Sequence, residues 1–318
     1  MKKHVVHKVY KVVKSIKLGL TFCFINFITL NCFAQQDPQY SLFMFDKMAL
    51  NPAAAGSKDA VEVNLVSRNQ WLDIQGAPVT NALLISAPTG GEHTGWGVEV
   101  MNDRIGPTTS SSVQGNYAYN IQLGKGKLAM GLGFGVYDYT FDWTTIDYKD
   151  KTDIYASANG SSKITPTAEA GLYYHTTSYY IGFSFNHLIE SRLSNISIAN
   201  DENFAPHEYF IAGKAFQSAS GIIWNPSVIL QLAQNSPPAV SINMNVFLAE
   251  KLWLGASYKL QYGCVFLAAY KASHVLSIGY AYDLGLNAIG VVGGGAHELS
   301  LTLDFASNKV TQVSPRFF

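Results

Sequence analysis

The stretch VQGNYAYNIQLGKGKLAMGLGFGV, residues 113–136, alternates between two kinds of side chain. One set of alternate positions is mostly large and apolar and comprises Val113, Tyr117, Tyr119, Ile121, Leu128, Met130, Leu132, Phe134 and Val136. The other set carries amides or almost no side chain and comprises Gln114, Asn116, Ala118, Asn120, Ala129, Gly131, Gly133 and Gly135. A period of two residues places the two sets on opposite faces of an extended strand. The stretch therefore predicts a β-hairpin that turns at Gly124-Lys125-Gly126.

Apart from Lys127 beside the turn, the second face of this hairpin carries no charge, which distinguishes two kinds of β-protein. A soluble sandwich buries its apolar face and presents polar residues to water on the other. A strand that contacts lipid on one face and a narrow polar lumen on the other has the pattern found here. The composition agrees, since 14% of residues are charged, against about 25% in soluble proteins. We therefore predict an all-β, transmembrane, antiparallel up-and-down β-barrel.

The same alternation recurs along the chain and gives about fourteen segments that are long enough to cross a bilayer at a tilt. The predicted strands are 60–70, 78–87, 94–102, 111–122, 127–139, 166–176, 178–188, 207–216, 219–233, 239–249, 251–260, 263–271, 273–283 and 296–306. From a periplasmic N-terminus every second connection should be short, and the predicted periplasmic turns are 123–126, 177, 217–218, 250 and 272. The predicted surface loops are 140–165, 189–206 and 287–295. Residues 58–306 are assigned to the barrel and residues 307–318 to a C-terminal tail.

The alternation also predicts the side chains that line the lumen. In the last predicted strand, Glu298, Ser300, Thr302 and Asp304 lie opposite leucines and a phenylalanine, and Glu169 and Lys214 are assigned to the lumen as isolated charges. The predicted lining is therefore mostly small and neutral, unlike the charged rings of general porins. A barrel of about fourteen strands is wider than the type that its own side chains fill. We expect another part of the chain to occupy this space.

Residues 35–57 are the candidate, because they do not alternate. They contain Asp37-Pro38, Asn51-Pro52 and Gly56, and an apolar run covers residues 42–45. One or two short helical turns are expected within 39–50, with Asn51-Pro52 ending them. Four consecutive apolar residues favour burial over a disordered periplasmic tail. We therefore predict a short non-strand segment that plugs the lumen.

Residues 1–34 have the parts of a secretory signal peptide. Six lysines accompany an apolar run from Leu18 to Leu30, and Cys32-Phe33-Ala34 is a small-x-small cleavage site. Acylation of Cys32 and an uncleaved anchor helix are the competing interpretations, and Asn31 fits poorly before a lipidated cysteine. We predict cleavage near Ala34 and integral localisation in a bacterial outer membrane.

Removal of residues 1–34 changes the charge balance. They hold six of the 22 basic residues and none of the 22 acidic ones, so the mature chain carries a net charge of −6. Because the chain also lacks a basic stripe with interleaved aromatic residues, nucleic acid is excluded as a partner. The mature chain keeps one cysteine, Cys264, which cannot form an intrachain disulfide.

No motif indicates an enzyme, a cofactor or a metal site. Nucleophile-elbow, Walker and paired-cysteine patterns are absent, and calcium-loop spacing is absent from the acidic residues Asp142, Asp147, Asp150 and Asp153. The pair His297-Glu298 could suggest acid–base chemistry, but no third catalytic group is identifiable. A hydrogen-bonding role at the barrel rim is the interpretation adopted for this pair. We predict a protein that is not an enzyme and has no cofactor.

Residues 36–57 resemble the opening signature of the PorP/SprF family. The matching positions are Gln36-Asp37-Pro38-Gln39-Tyr40-Ser41, Met44-Phe45, Asn51-Pro52-Ala53 and Ala55-Gly56-Ser57. Further matches follow in order at Arg68-Asn69-Gln70-Trp71, Gly76-Ala77-Pro78-Val79-Thr80, Asn102-Asp103-Arg104-Ile105-Gly106-Pro107, Tyr117-Ala118-Tyr119, Gly279-Tyr280-Ala281-Tyr282-Asp283, Gly295-Ala296-His297-Glu298-Leu299 and Pro315-Arg316-Phe317. Asp46-Lys47-Met48 departs from the family pattern, which is usually more apolar there.

The resemblance implies an outer-membrane protein of Bacteroidota-type bacteria that is tied to the type IX secretion system. Some members resemble surface-anchoring partners of secreted adhesins in gliding motility, and others resemble components of the secretion machinery. The implied partners are a secreted surface protein or adhesin with a type IX sorting domain, periplasmic and outer-membrane secretion components, and the lipid bilayer.

We therefore expect a barrel that anchors or helps to secrete a cognate surface protein, recognised through the long loops 140–165 and 189–206. An outer-membrane transporter or porin for a small neutral or hydrophobic solute is the alternative. The candidate plug residues of the family motif are Asp37, Pro38, Gln39, Tyr40, Met44, Phe45, Asn51, Pro52 and Gly56. The candidate structural residues at the barrel rim are Arg68, Trp71, Asp103, Asp283, His297 and Glu298.

Overall fold

Strands account for most of the chain in the computed structural model, which describes residues 38–58, 60–89, 93–150, 152, 161–189, 206–219, 221–233 and 236–306. The strands are β1 (Ala60–Gln70), β2 (Val79–Pro88), β3 (Thr94–Ile105), β4 (Thr108–Leu123), β5 (Gly126–Phe141), β6 (Ser161–His175), β7 (Tyr179–Asn186), β8 (His207–Lys214), β9 (Phe216–Gln217), β10 (Ile223–Ala233), β11 (Ala239–Leu248), β12 (Leu252–Lys259), β13 (Gly263–Lys271), β14 (Leu276–Gly285) and β15 (Ala296–Ala306). The other described elements are the 3₁₀ turns η1 (Lys47–Ala49), η2 (Pro52–Ala54) and η3 (Trp143–Thr145) and the helix α1 (Ala288–Val292). The predicted signal peptide, its cleavage site and the C-terminal tail lie outside the described residues.

The sheet closes on itself. Successive strands pair antiparallel, and β1 pairs with β15 from Ala60↔Ala306 to Gln70↔Ala296. Both β8 and β9 pair with β10, so they are one strand that is interrupted at Ala215. The described residues thus form a closed barrel with fourteen strand positions. The predicted fold class and strand number are confirmed.

The stretch 113–136 forms most of the β4–β5 hairpin, which pairs from Thr108↔Phe141 to Leu123↔Gly126. Its large apolar side chains lie on the outer surface, where Phe134 is 63% exposed. Its amide and alanine positions face inward, and Ala118 and Ala129 are completely buried. The predicted assignment of faces is therefore confirmed for this hairpin.

The outer surface of the barrel is an apolar belt. Exposed large apolar side chains occur all around the sheet and include Leu65, Val100, Leu132, Phe183, Ile242, Phe266 and Leu301. Lipid tails solvate such a surface, whereas water disfavours it by roughly 25 cal/mol for each Å². Among the described helices, none has the length and apolar character needed to span a membrane.

The two ends of the barrel differ in their connections. At the end where β1 begins, here called the basal end, the connections are 89–93, 124–125, 176–178, 218–222, 249–251 and 272–275. At the opposite end, here called the loop end, they are 71–78, 106–107, 142–160, 187–206, 234–238, 260–262 and 286–295. The long connections thus lie at the loop end, as the sequence predicts. Two short ones, 106–107 and 260–262, also lie there.

Two sequence-based details are wrong. β5 and β6 pair as far as Phe141↔Ser161, so both strands extend into the predicted loop 140–165. Most of the added residues are polar, and the two large apolar ones, Phe141 and Ile164, lie on opposite faces, so the alternation is lost there. Lys214, which was predicted to face the lumen, is exposed on the outer surface after the inward-facing Gly213. A lysine at a strand end reaches the polar boundary of the bilayer, so its charge does not require the lumen.

Because the large apolar side chains of β4 and β5 face lipid, we expect a charge in the middle of the apolar belt to destabilise the barrel. Leu132→Arg should lower the free energy of unfolding by about 2–4 kcal/mol, because the guanidinium would enter the hydrocarbon layer. The measurement is denaturant unfolding of the protein refolded into lipid vesicles, with Leu132→Phe as the control. An unchanged unfolding midpoint for Leu132→Arg would contradict the assignment of this face to lipid.

Candidate functional site in the barrel lumen

Residues 38–58, here called the lumen segment, lie inside the barrel. Their contacts reach opposite parts of the wall, since Ser41 bonds to Glu298 of β15 while Asn51 bonds to backbone oxygens of β6 and β7. Most of the segment's apolar side chains are buried. The predicted plug residues from Pro38 to Gly56 all belong to it, whereas Asp37 lies outside the described residues.

Capping side chains give the lumen segment two short helical turns. Asp46 accepts a hydrogen bond from the Met48 amide at 3.1 Å and begins η1. Asn51 accepts one from the Ala53 amide at 2.9 Å, and Pro52 takes the first position of η2. Aspartate and asparagine favour the N-cap, and proline favours the first helical position. Asn51-Pro52 thus ends the first turn, as predicted, and also begins a second one.

The lumen segment supplies much of the hydrophobic core. One buried cluster joins Tyr40, Leu42, Phe43, Met44, Met48, Leu50, Ala53, Ala54 and Ala55 of the segment to wall residues that include Leu84, Met101, Tyr173, Tyr180, Tyr209, Ile211, Val265 and Leu267. The large apolar side chains of the wall mostly face lipid, so the wall alone cannot form such a core. Burial of the segment therefore also shields the inward apolar side chains from water.

Glycines in the wall provide the room for the lumen segment. A Cβ atom at Gly131 would lie 2.2 Å from the Ala53 nitrogen, and one at Gly171 would lie 2.0 Å from Asn51 Oδ1. Both distances are far shorter than real contacts, so a side chain at either position would push the segment away. The nearly bare inner face of β5, which the sequence pattern reveals, is thus the surface on which η2 packs.

Two motif residues join the end of the lumen segment to the wall. Asn51 Nδ2 donates to the carbonyl oxygens of Leu172 at 3.0 Å and Phe183 at 3.2 Å, on the neighbouring strands β6 and β7. Gly56 turns the chain towards β1 with a φ of +64°, and a Cβ there would lie 2.5 Å from Gly95 Cα. Glycine accepts both the conformation and the close approach.

Four charged side chains of the wall meet in the lumen, and we call them the lumen ion cluster. Arg68 of β1 lies 2.7 Å from Asp283 of β14 and 2.9 Å from Glu298 of β15. Lys259 Nζ of β12 lies 2.8 Å from Asp283 Oδ2. Both carboxylates are completely buried. Two cations and two anions give a neutral cluster, and this mutual pairing offsets the cost of burying each charge.

The lumen ion cluster binds the lumen segment at Ser41. Glu298 accepts hydrogen bonds from the Ser41 amide at 2.7 Å and the Leu42 amide at 2.8 Å. Ser41 Oγ donates to Asp283 Oδ1 at 2.7 Å and accepts from both cations of the cluster, at 2.9 and 2.8 Å. Hydrogen bonds with a charged partner are about twice as strong as neutral ones. Ser41 is therefore the point at which the segment is held most firmly.

Two contacts with β1 give the direction of the lumen segment. Ser41 bonds to Arg68 near the loop end of β1, whereas Lys58 forms an ion pair with Glu62 near the basal end. Arg68 and Glu62 are six positions apart on one strand, which corresponds to about 20 Å. The described segment therefore starts at the loop end of the lumen and descends to the basal end, where β1 begins.

The two lysines of the lumen segment have different surroundings. Lys47 Nζ donates to the Met44 carbonyl at 3.0 Å and lies 4.9 Å from the centre of the Tyr180 ring. Lys58 Nζ donates to the Phe45 carbonyl at 2.9 Å and forms an ion pair with Glu62 of β1. Lys58 thus links the segment to the wall through a charge pair.

Four of the predicted rim residues point into the lumen. Arg68, Asp283 and Glu298 lie near the loop end of their strands and bind the lumen segment, so they do more than support the rim. Asp103 is also buried on the inner face, where it accepts a hydrogen bond from Thr80 Oγ1 at 2.6 Å.

The other two predicted rim residues lie elsewhere. Trp71 follows β1 with a φ of +46°, and its amide donates to the Gly295 carbonyl at 2.7 Å. This bond joins the connections 71–78 and 286–295. His297 faces outward, and its Nδ1 lies 2.6 Å from the Tyr280 hydroxyl. It belongs to the aromatic outer surface near the loop end.

Sequence reasoning missed Ser41 and Lys259 as functional residues. Lys259 is in phase with the inward-facing Trp253 and Ser257 of β12, so the alternation alone could have placed its charge in the lumen. Ser41 belongs to the motif that carries the family resemblance. No sequence pattern shows which wall strands it meets, because three of its four charged partners, Lys259, Asp283 and Glu298, lie more than 200 residues further along the chain.

A small cavity lies beside the lumen segment in the described part of the chain. It has a volume of about 20 Å³, lies between the segment and the inner faces of β8 and β10–β12, and is lined in part by Tyr40, Gln231 and Lys259. This is room for about one water molecule, which could bond to the Tyr40 hydroxyl and Gln231 Nε2, both unpartnered in the described structure. Within the described ranges, no group of three or more His, Cys, Asp or Glu side chains could hold a metal ion.

A closed antiparallel barrel with an apolar outer belt and a lumen occupied by its own chain defines an integral outer-membrane protein. The chain belongs to the PorP/SprF family of type IX secretion system membrane proteins, whose sequence profile matches residues 32–303. The match includes the whole lumen segment and the lumen ion cluster. The resemblance inferred from the motifs is confirmed.

Several solved barrels have a similar fold at low sequence identity. A NanC porin structure is 12% identical, with 77% of this chain and 99% of that chain covered and a TM-score of 0.40. A FadL homologue from Pseudomonas aeruginosa is 11% identical, with 85% and 95% covered and a TM-score of 0.44. The CymD monoaromatic hydrocarbon channel is 12% identical, with 82% and 93% covered and a TM-score of 0.43. No curated protein matches the sequence.

The role of Glu298 can be tested by Glu298→Ala. This change removes the acceptor of two segment amides and one partner of the buried Arg68, and breaking such a pair costs about 3–5 kcal/mol. We expect faster hydrogen exchange in a peptide that covers residues 38–45, together with lower stability. Thr302→Val is the control, because Thr302 lies on the same face of β15 and bonds to Asn64 rather than to the segment. Unchanged exchange in Glu298→Ala would contradict the proposed anchoring at Ser41.

The direction of the lumen segment predicts a mature N-terminus at the loop end, in contrast to the periplasmic N-terminus from which the strand pattern was interpreted. Cleavage after Ala34 leaves three residues before Pro38, which reach at most about 11 Å. With the basal end in the periplasm, a cysteine introduced as Gln36→Cys in a Cys264→Ser background should react with an impermeant maleimide on intact cells. The control Gln312→Cys lies in the tail that follows β15 and should react only after the outer membrane is permeabilised. The reverse pattern would contradict the assigned direction.

Proposed function

We propose that this protein is a non-enzymatic scaffold of the type IX secretion and gliding machinery, which anchors or helps to secrete a cognate surface protein. The observation that carries the proposal is the occupied lumen, because residues 38–58 fill the barrel and are bound by a buried ion cluster. A barrel filled in this way offers its surfaces to partners rather than a channel to solutes. Family membership supplies the machinery in which it acts.

An exposed apolar patch at the loop end supports contact with a protein partner. The connections 71–78 and 286–295 are joined there, and they expose Leu72, Leu286, Val291 and Val292, at 58–72% for each side chain. We call these four residues the loop-end patch. Neighbouring exposed apolar side chains mark protein interaction sites. The patch lies on the side that is expected to face the cell exterior.

The long loops at the same end complete the proposed recognition surface. The β5–β6 hairpin extends as far as Phe141 and Ser161 towards it, whereas residues 153–160 and 190–205 lie outside the described residues. The partner proposed for this surface is a secreted surface protein or adhesin with a type IX sorting domain. The basal end, with its short turns, is the proposed side of contact with periplasmic components of the secretion machinery.

A transporter or porin for a small neutral or hydrophobic solute would need a continuous path through the lumen. The cavity of about 20 Å³ beside the lumen segment is too small for any such solute. Conductance in planar bilayers distinguishes the two functions, because the proposed scaffold should give no wide pore. Wide conductance from the intact protein would favour the transporter.

The proposed function is tested by affinity purification of the tagged protein from detergent-solubilised outer membranes. We expect one secreted protein, together with secretion components, to be enriched over a purification that uses an unrelated barrel. Replacement of residues 144–158 by a glycine-serine linker should leave the barrel inserted and release the partner into the medium. Val291→Asn with Val292→Asn should also reduce recovery, whereas Ser273→Asn at the basal end should not.

Two outcomes would count against the proposal. Retention of the partner by the linker variant would contradict recognition by the loop between β5 and β6. Absence of any enriched secreted protein would contradict the anchoring function itself.

A further inference from the structure

Six neighbouring strands, β7, β8 and β10–β13, form an apolar groove on the lipid-facing surface, with a volume of about 900 Å³. Two adjacent rows of outward side chains line it. One row consists of direct cross-strand partners, namely Ile181, Ala212, Val228, Ile242, Tyr258 and Cys264. The second row lies next to the first, two residues nearer the basal end on each strand. It includes Lys214, Pro226, Ala256 and Phe266.

Short side chains produce the groove. The outer wall of a barrel is convex, so a depression across six strands requires small residues along its floor. Ala212, Pro226 and Ala256 provide this floor, whereas Ile242 and Phe266 project beside it and are 61% and 53% exposed. No comparable side-chain pattern occurs in the β4–β5 hairpin, where large residues occupy almost every outward position.

The groove runs obliquely through the membrane. Its rows cross five interstrand spacings, a distance of about 24 Å. The rows run at right angles to the strands, and the strands themselves tilt by about 35–45° from the barrel axis. Ile181 lies close to the start of β7 at the basal end, and Cys264 lies close to the start of β13 at the loop end. The groove therefore leads from the basal boundary of the bilayer into its hydrocarbon layer.

A cation marks the basal end of the groove. Lys214 is exposed at the end of β8 and forms no ion pair within the described parts of the chain. Tyr179 is its cross-strand partner, and tyrosine is enriched at the level of lipid headgroups. A lysine at this level attracts anionic lipid. The groove thus combines an apolar surface that could hold an acyl chain with a positive charge at its basal end.

We propose that this groove binds an anionic phospholipid of the basal leaflet, with the phosphate at Lys214 and an acyl chain along Ala212 and Ala256. The volume lies within the range of ligand pockets, about 300–1,000 Å³. Charge complementarity distinguishes this occupant from a second copy of the chain, whose outer belt is convex and apolar and would leave Lys214 without a counterion. The proposal does not depend on the function proposed above.

The test uses the purified full-length protein in detergent, mixed with phosphatidylglycerol or with phosphatidylcholine of the same acyl chains. Native mass spectrometry should show retained phosphatidylglycerol in preference to phosphatidylcholine. Lys214→Gln should reduce that preference by about fivefold, as expected for one lysine near a membrane surface. Ala256→Phe should fill the groove and abolish retention of both lipids.

Matched controls on the other side of the barrel separate this site from general lipid contact. Lys125→Gln removes a lysine from the basal turn between β4 and β5, and Gly115→Phe adds a ring to the outer face of β4, where a Cβ meets no close neighbour. Both should retain phosphatidylglycerol as the unmodified protein does. Each variant is checked for folding by comparing the electrophoretic mobility of heated and unheated samples, because a folded barrel migrates differently from the unfolded chain.

Three results would overturn the proposal. The first is equal retention of the two lipids by the unmodified protein. The second is loss of retention in the controls as well as in the groove variants. The third is a dimer that Ala256→Phe dissociates, because the occupant would then be a second copy of the chain.

Discussion

The need to fill the lumen is the constraint on which the rest of this structure depends. A barrel with fourteen strand positions encloses more space than small inward side chains occupy. The wall turns its large apolar residues towards lipid, and glycines such as Gly131 and Gly171 leave its inner face bare where the lumen segment packs. Residues 42–55 therefore provide the apolar core that the sheet lacks. The non-strand segment and the barrel wall depend on each other, because neither has a buried core alone.

The lumen ion cluster determines how the segment is placed within this space. Apolar packing is not directional, so it would tolerate a shift along the barrel. Glu298 and Asp283 instead need donors at defined positions, and the amides of Ser41 and Leu42 and the Ser41 hydroxyl supply them. A displaced segment would leave buried acceptors unsatisfied, which costs more than the bonds themselves contribute. With Lys58 paired to Glu62 at the other end, both the position and the direction of the segment are defined.

These features agree with the proposed function, in which the protein acts through its surfaces. The lumen is occupied, the loop end exposes an apolar patch between two joined connections, and the outer wall carries a groove with a lysine at its basal end. The three regions face the lumen, the expected cell exterior and the bilayer. They are also physically separate, since different strands or different faces of the same strands form them. Mutations in one region can therefore be used to separate the attachment of the lumen segment from the proposed partner recognition and the proposed lipid binding.

The sequence by itself determined the barrel, the strand positions and the exceptional character of residues 35–57, because a period of two is a local property of the chain. It failed at strand ends. β5 and β6 continue to Phe141 and Ser161, where the side chains no longer alternate, and Lys214 reaches the membrane boundary from the outer face. Only the tertiary structure decided that Arg68, Lys259, Asp283 and Glu298 meet at Ser41. That meeting requires closure of the barrel between β1 and β15 in one register. Alternation identifies which side chains of a strand face the lumen. It contains no information on which residues of distant strands lie at the same height along the barrel axis.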